Sequence, residues 1–309
     1  MKAAVLVMAY GGPDSLEDIG PYLLDIRGGR PTSPELVEEI RERYARIGGR
    51  SPLLELTRAQ ASGLEACLNA LSPARETRVF VGMRHWKPYI REAVAQIAAE
   101  GYERGLAFCM APHASQMSSG AYLKKLREAE EQVHCPRLLE FIPNWHDRPF
   151  LIRSLAAKVH AAEQRFPEEA RGQIHYLFTA HSLPASSTAQ GDPYAGQLHQ
   201  TVELLAGELG LPAERWTFGY QSAGAAPGQW LGPSIEEIFP QLAQNGIRDV
   251  LITPVGFMAD HVEVLFDIDI EAQEIAHEQG IRLVRSDSLN ASPDFIEGLA
   301  KFILERLPA

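Results

Sequence analysis

The chain of 309 residues has room for one large or two ordinary domains around a substantial core. Its 45% hydrophobic and 22% charged residues suit a globular protein, and a formal charge of −11 argues against a broad nucleic-acid or anionic-membrane surface, since both need a basic footprint. The three cysteines, Cys67, Cys109 and Cys135, lack C-x-x-C spacing; they imply a reducing compartment, argue against a disulfide framework, and are too few for an all-cysteine iron–sulfur cluster.

The first apolar run, Ala3–Tyr10, is short and leads into Gly11-Gly12-Pro13 without a cleavage pattern, so it reads as a buried strand rather than a secretory segment. No run approaches the roughly 18 apolar residues of a membrane span, which sets the expectation of a cytoplasmic protein without membrane insertion. Strand-like runs at Ala3–Ala9, Arg78–Met83, Gly105–Met110 and Arg137–Ile142 are followed by others at Ile174–Ala180, Trp216–Gln221, Asp249–Phe257 and Arg282–Arg285. Between them lie amphipathic stretches at Pro34–Ile47, Thr57–Leu71, Ile90–Glu100, Ala121–Gln132, Pro149–Arg165, Tyr194–Leu209, Ile235–Asn245 and Asp260–Glu278, with a last helix at Pro293–Leu307. Such alternation predicts an α/β fold with parallel sheets.

The two halves also echo each other. Ala9–Pro13 after the first strand corresponds to Ala180–Pro184 after the fifth, and Arg84–Pro88 to Gln221–Pro233. Likewise, Ala111–Tyr122 corresponds to Pro254–Val264. The expected architecture is two similar Rossmann-like doubly wound domains, residues 1–145 and 146–309, each with a four-stranded parallel sheet. Their strand ends face a common cleft, the boundary falls around Pro143–Pro149, and the last helix packs back on the N-terminal domain.

Polar residues just beyond buried strands are the candidates for chemistry. His181 opens the turn after the fifth strand, where an imidazole can accept a proton or bind a metal, or simply be a satisfied strand end. His85 and His113 end the second and third strands and have the same two readings. After the seventh strand, Glu263, Asp267 and Glu271 recur every fourth residue and would form one acidic stripe on an α-helix, whether functional or merely solvated. His261 and Glu263 would face nearly opposite ways if both were helical, so a partner for Glu263 is expected from another loop. His261-Val262-Glu263 matches only part of a zinc-deaminase signature, P-C-x-x-C being absent. Gly11-Gly12-Pro13 fits a tight turn better than a phosphate loop. Asp14 or Ser15 is suited to cap the next helix. Arg27, Arg30, Arg43, Arg46 and Arg50 cluster in the first connection together with Ser51, as guanidinium groups suited to carboxylates or to solvent.

Taken together, Met8–Pro13 (MAYGGP), Arg43–Leu53 (RYARIGGRSPL), Ala111–Tyr122 (APHASQMSSGAY), Ala180–Pro184 (AHSLP), Gly191–Tyr194 (GDPY), Trp230–Pro233 (WLGP) and Pro254–Asp267 (PVGFMADHVEVLFD) closely resemble the ferrochelatases, collinearly over almost the whole chain. The resemblance is closest to the short coproporphyrin ferrochelatases of Gram-positive-type bacteria, which carry a tyrosine in MAYG. It implies insertion of Fe²⁺ into coproporphyrin III, a step of haem biosynthesis, with both molecules as substrates and no permanently bound cofactor. It also implies that His181 and Glu263 form the metal-entry and proton-acceptor pair on one porphyrin face. Tyr10 would lie on the other face, axial to product iron, and Arg27, Ser51 and Tyr122 would contact the propionates. Gly28 stands where relatives often have a second arginine, so one propionate contact is either lost or supplied by Arg30. Arg43, Asp267 and Glu271 resemble an outer site for hydrated divalent cations such as Mg²⁺, a hydrated surface stripe being the alternative. A monomer with a transient partner for coproheme handover fits this reading. Competing readings are a protoporphyrin ferrochelatase, a cobalt or nickel tetrapyrrole chelatase, since His and Glu do not encode metal identity, and a non-catalytic porphyrin carrier.

Overall fold

The computed structural model describes residues 2–224 and 228–307, with backbone only at 188 and 189. Residues 225–227 of the Gln221–Pro233 motif therefore lie outside the described residues. In the first half, strand β1 (Lys2–Ala9) is followed by helices α1 (Ile19–Ile26), α2 (Pro34–Arg46) and α3 (Leu53–Leu71). Then come β2 (Glu76–Met83), α4 (Ile90–Ala99), β3 (Gly105–Cys109), α5 (Ser119–Gln132) and β4 (Leu139–Ile142). The second half contains α6 (Pro149–Glu163), α7 (Glu168–Arg171), β5 (His175–His181), α8 (Ala185–Ala189), α9 (Tyr194–Glu208), β6 (Trp216–Gln221), α10 (Ile235–Gln244) and β7 (Asp249–Pro254). It closes with α11 (Val262–Leu265), a π-helical segment (Asp267–Ala272), α12 (Gln273–Glu278), β8 (Arg282–Arg285) and α13 (Pro293–Leu304).

Two all-parallel sheets result, in the orders β2-β1-β3-β4 and β6-β5-β7-β8. The central strands are apolar almost without interruption: in β1 every residue after Lys2 is buried, as expected for a strand covered on both faces by helices. Strand order reverses between β1 and β3 in one sheet and between β5 and β7 in the other, so the segments leaving those strands flank the crevices where open α/β sheets bind ligands.

The halves share one core. A continuous apolar cluster takes Val5, Val7 and Phe108 from the first sheet, Phe178 and Leu251 from the second, and Phe295, Leu299 and Ile303 from α13. Helix α13 packs against both α3 and α6, and Phe295 stacks on Trp145 with ring centroids 6.1 Å apart. Prolines at the first turns of α2, α6 and α13 remove N–H groups that would otherwise lack partners. Among the described residues, no helix is long and apolar enough to cross a membrane.

Most expected elements shift at their ends by one to four residues, and the short helices α7 and α8 have no expected counterpart, but two differences bear on the site. The seventh strand ends at Pro254 rather than Phe257, because the chain turns away through bonds from Val255 N to Thr253 O and Phe257 N to Pro254 O. The continuous helix expected over Asp260–Glu278 is broken at both ends of its first turn. The Asp260 carboxylate accepts bonds from Ser288 Oγ (2.7 Å) and Asn290 Nδ2 (2.8 Å), while its backbone N–H donates to Asn290 Oδ1 (3.0 Å), so residues up to His261 are tied to the β8–α13 loop and helix starts only at Val262. Beyond Leu265 the register slips to i→i+5, with Glu271 N donating to Phe266 O at 3.0 Å. Such π segments occur frequently at functional sites.

Candidate active site

A cavity of about 360 Å³ lies between the carboxyl ends of the two sheets. Its walls include Tyr10, Ser51, Arg84 and Tyr122 from the first half, and His181 and Glu263 from the second. Two close approaches shape it. A Cβ on Gly12 would lie 2.4 Å from Ser51 Cβ, so glycine lets the α2–α3 connection close onto the turn after β1. At Gly256 a Cβ would meet Ala180 Cβ at 2.9 Å, so glycine brings the exit of β7 against the end of β5, beside His181.

His181 is the last residue of β5. Its Nδ1 donates to the Ser182 carbonyl oxygen and its Nε2 points to Glu263 Oε1, 3.5 Å away. Glu263 is held from the other side by His261 Nε2, 3.3 Å from Oε2, while His261 Nδ1 donates to Ala259 O at 3.0 Å. His261 and Glu263 therefore converge, contrary to the helical expectation. The reason is local: His261 is extended (φ −161°, ψ −175°) as the N-cap of α11, so the rotation of a helix does not separate the two side chains. A backbone carbonyl can only accept, so each Nδ1 carries a proton, and the contact of His181 Nε2 with the carboxylate is attractive when that nitrogen is protonated as well. The electrostatics agree. Burial opposes charging His181, but the Glu263 carboxylate and the Ser182 carbonyl outweigh it and hold the imidazole above its usual range. Burial likewise opposes charging Glu263, and the two imidazoles outweigh it and hold the carboxyl well below its usual range.

Across the cavity Tyr10 is 39% exposed, with its ring 4.7 Å from the His85 ring and 5.7 Å from the Arg84 guanidinium. Burial, and then the Glu263 carboxylate, push its phenol up to about 12. Tyr122 is buried, with Arg84 over its ring at 5.6 Å, and Ser51 Oγ accepts from Leu53 N at 3.3 Å. Arg27 is placed differently from the other expected porphyrin contacts. It is exposed at the end of α1 and does not line the cavity, and neither does Arg30. Gly28 (φ +63°) and Gly29 (φ +84°) form a left-handed turn there, a conformation that disfavours a second arginine. Asp14 and Ser15 do not cap a helix by side-chain bonds: Asp14 accepts from Trp86 Nε1 (2.9 Å) and Ser15 Oγ donates to Asp18 (3.0 Å).

Of the two strand-end histidines of the first half, His113 lines the cavity but is buried and neutral. Its Nε2 donates to Thr201 Oγ1 at 2.9 Å, and burial followed by neighbouring His146 lowers it to about 3. His85 donates from Nδ1 to Asp25 at 2.8 Å and braces Tyr10.

Behind Glu263 lies a second cavity of about 740 Å³, lined by Gln221, Ser222, Asp267, Glu271, Glu274 and Arg43 among others. Here the structure does bring Arg43, Asp267 and Glu271 together: the guanidinium stands 3.7 Å from Asp267 Oδ1 and 3.9 Å from Glu271 Oε1. Burial raises Asp267 to about 6 despite a bond from Ser222 Oγ, and burial also raises Glu271. The sequence reading missed Arg84 and Gln221 as site residues. Both had the same signal as His181, a polar residue at or just past the end of a buried strand.

Comparison with known proteins agrees with this geometry. The family model described as ferrochelatase matches residues 2–307. A ferrochelatase of Deinococcus radiodurans is 46% identical over 306 residues, 99% of this chain and 96% of that protein. The coproporphyrin III ferrochelatase of Bacillus subtilis is 35% identical over 99% of this chain and 98% of its own length. Among solved structures, SirB from Bacillus subtilis with Fe³⁺ superposes with a TM-score of 0.61 over 99% of this chain and 95% of its own, at 11% identity. That last likeness concerns the fold alone and matches the two four-stranded sheets.

Proposed function

The chain belongs to the ferrochelatase family, the metal-inserting porphyrin lyases of haem biosynthesis, and from that premise we propose that its porphyrin is coproporphyrin III and that His181 and Glu263 carry the reaction. The observation behind the site assignment is the His181–Glu263 contact at 3.5 Å in the wall of a cavity whose other side is phenolic and cationic. Insertion exchanges two pyrrole protons for one Fe²⁺, so one porphyrin face must meet groups that bind a partly dehydrated cation and take up protons. Imidazole and carboxylate suit Fe²⁺: the cation first displaces the His181 Nε2 proton to solvent, and once the metal has passed to the porphyrin the freed imidazole takes up one of the two pyrrole protons while the other leaves to solvent.

On the opposite face Tyr10 is the axial group. A phenol is neutral at physiological pH in any case, and the raised pKa makes the phenolate harder still to form until product iron favours it. Ser51, Tyr122 and Arg84 supply hydrogen-bond donors and positive charge for propionates. Arg27 contributes only if the end of α1 moves inward. Arg43, Asp267 and Glu271 serve as an outer site for a hydrated cation, Mg²⁺ or incoming Fe²⁺, and no cofactor is held permanently. The protein works in the cytoplasm as a monomer and releases coproheme to a transient partner.

Coproporphyrin III is favoured by Tyr10 in the MAYG motif and by relatives that carry that substrate in their names, including one from Geobacillus that is 38% identical. Anaerobic Fe²⁺ insertion compared across porphyrins tests the choice. The expected result is a higher kcat/KM for coproporphyrin III, and preference for protoporphyrin IX overturns it.

A further inference from the structure

Glu263 sits beyond the hydrogen-bonded part of its sheet. Pairing of β7 with β5 ends at Thr179 opposite Pro254, and after Gly256 N reaches Thr179 O at 3.4 Å the chain runs free of the ladder to α11. The separation of Glu263 from His181 must therefore be fixed by something other than the sheet. Gln221, 2% exposed and opposite His181 in the β5–β6 register, is placed to do this. Its main-chain carbonyl accepts from Ser182 N (2.8 Å), next to His181. Its amide oxygen accepts from the fully buried Thr179 Oγ1 (2.7 Å), and its amide nitrogen donates to the main-chain oxygen of Glu263 (2.6 Å). The amide orientation is unambiguous, because a carbonyl can only accept and the Thr179 hydroxyl satisfies the other end.

The next residue extends the brace. Ser222 has a left-handed backbone (φ +59°), unusual for a residue with a side chain, and its Oγ donates to Asp267 Oδ2 while lying 3.3 Å from Gln221 Nε2. One dipeptide at the end of β6 thus holds Glu263 by its backbone, Asp267 by its carboxylate and the His181 turn by a main-chain hydrogen bond from Ser182 N. Gln221 lines the outer cavity and not the one between the halves, so it acts on the reaction through other groups.

We infer that Gln221, anchored by Thr179, is the positioning residue that sets the Glu263–His181 separation for metal transfer. This rests on the reading of His181 and Glu263 given above. Outer partners that orient metal-binding groups typically change metal affinity or activity by about 10–100-fold when removed. Gln221→Met keeps the bulk but neither hydrogen bond, and Thr179→Val removes only the anchor. Anaerobic Fe²⁺ insertion, porphyrin binding by fluorescence and thermal melting are measured on wild type and both variants. Gln221→Met should lose about 10–100-fold in kcat with porphyrin KM and binding unchanged, and Thr179→Val should show a smaller loss with the same split. Wild-type kcat in Gln221→Met, or porphyrin binding and kcat falling together, overturns the inference while leaving the site assignment standing. If Gln221→Met does not fold, wild-type kcat in Thr179→Val overturns it instead. A wild-type protein that inserts no iron overturns the functional reading itself, and the inference with it.

Discussion

At the end of β1 the chain places Tyr10, braced by His85 and Arg84, and at the equivalent end of β5 it places His181, joined to Glu263. The strand orders β2-β1-β3-β4 and β6-β5-β7-β8 are equivalent, and so are the crevices at their ends. The side chains facing the cavity are not. The first half offers the phenols of Tyr10, Tyr22, Tyr44 and Tyr122 with Arg84 and the neutral His113, whereas the second adds Tyr194 and alone supplies a carboxylate, Glu263, with the imidazoles in contact with it. In the proposed reading, a planar ligand between them would meet neutral donors and positive charge on one side and the His181–Glu263 pair on the other. One backbone plan used twice thus yields a division of labour through the few residues that follow its strands.

The largest effect should come from removing charge on the second side. Glu263→Gln keeps the size of the side chain but has no negative charge to stabilise the His181 imidazolium or to bind iron as an anion, and insertion should fall by about 10²–10⁴-fold in an anaerobic kcat assay. A loss no greater than that of a first-half variant would end the proposed asymmetry. Tyr10→Phe should have a smaller effect: insertion continues with a loss below about tenfold, while the visible spectrum of the iron product complex changes because the phenolate ligand is gone. An unchanged spectrum would mean that the two faces do not divide the roles in this way.

The smallest expected effect concerns the seam between the halves. His113 has a folded pKa lowered from 6.5 to about 3, by burial and then by His146, so the unfolded chain binds the proton more readily. Its contribution to stability is complete above pH 6.5 and is lost as pH falls from there towards 3. His113→Gln should flatten that part of the melting-temperature profile, and a slope equal to wild type would remove His113 as the cause.

Much of this was legible from the sequence. Eight buried strands alternating with amphipathic helices, and the echo between Ala9–Pro13 and Ala180–Pro184, led to the paired sheets, because apolar runs of that length have few other uses. Tyr10, Ser51, Tyr122, His181 and Glu263 do meet at one cavity, and Arg43, Asp267 and Glu271 at its neighbour. The position of His261 was not legible, since it depends on Asp260 being tied to Ser288 and Asn290, some 30 residues downstream by the sequence separation of those bonds. The π register over Asp267–Ala272 has no pattern that distinguishes it from an α-helix in advance. Gln221 was overlooked because a buried amide reveals its purpose only through its partners.

The most direct test of the split site compares wild type with His181→Ala, measuring anaerobic Fe²⁺ insertion into coproporphyrin III and binding of the same porphyrin in parallel. The account predicts that His181→Ala binds coproporphyrin III like wild type and inserts iron at least about 100-fold more slowly. Wild-type insertion by His181→Ala would contradict it.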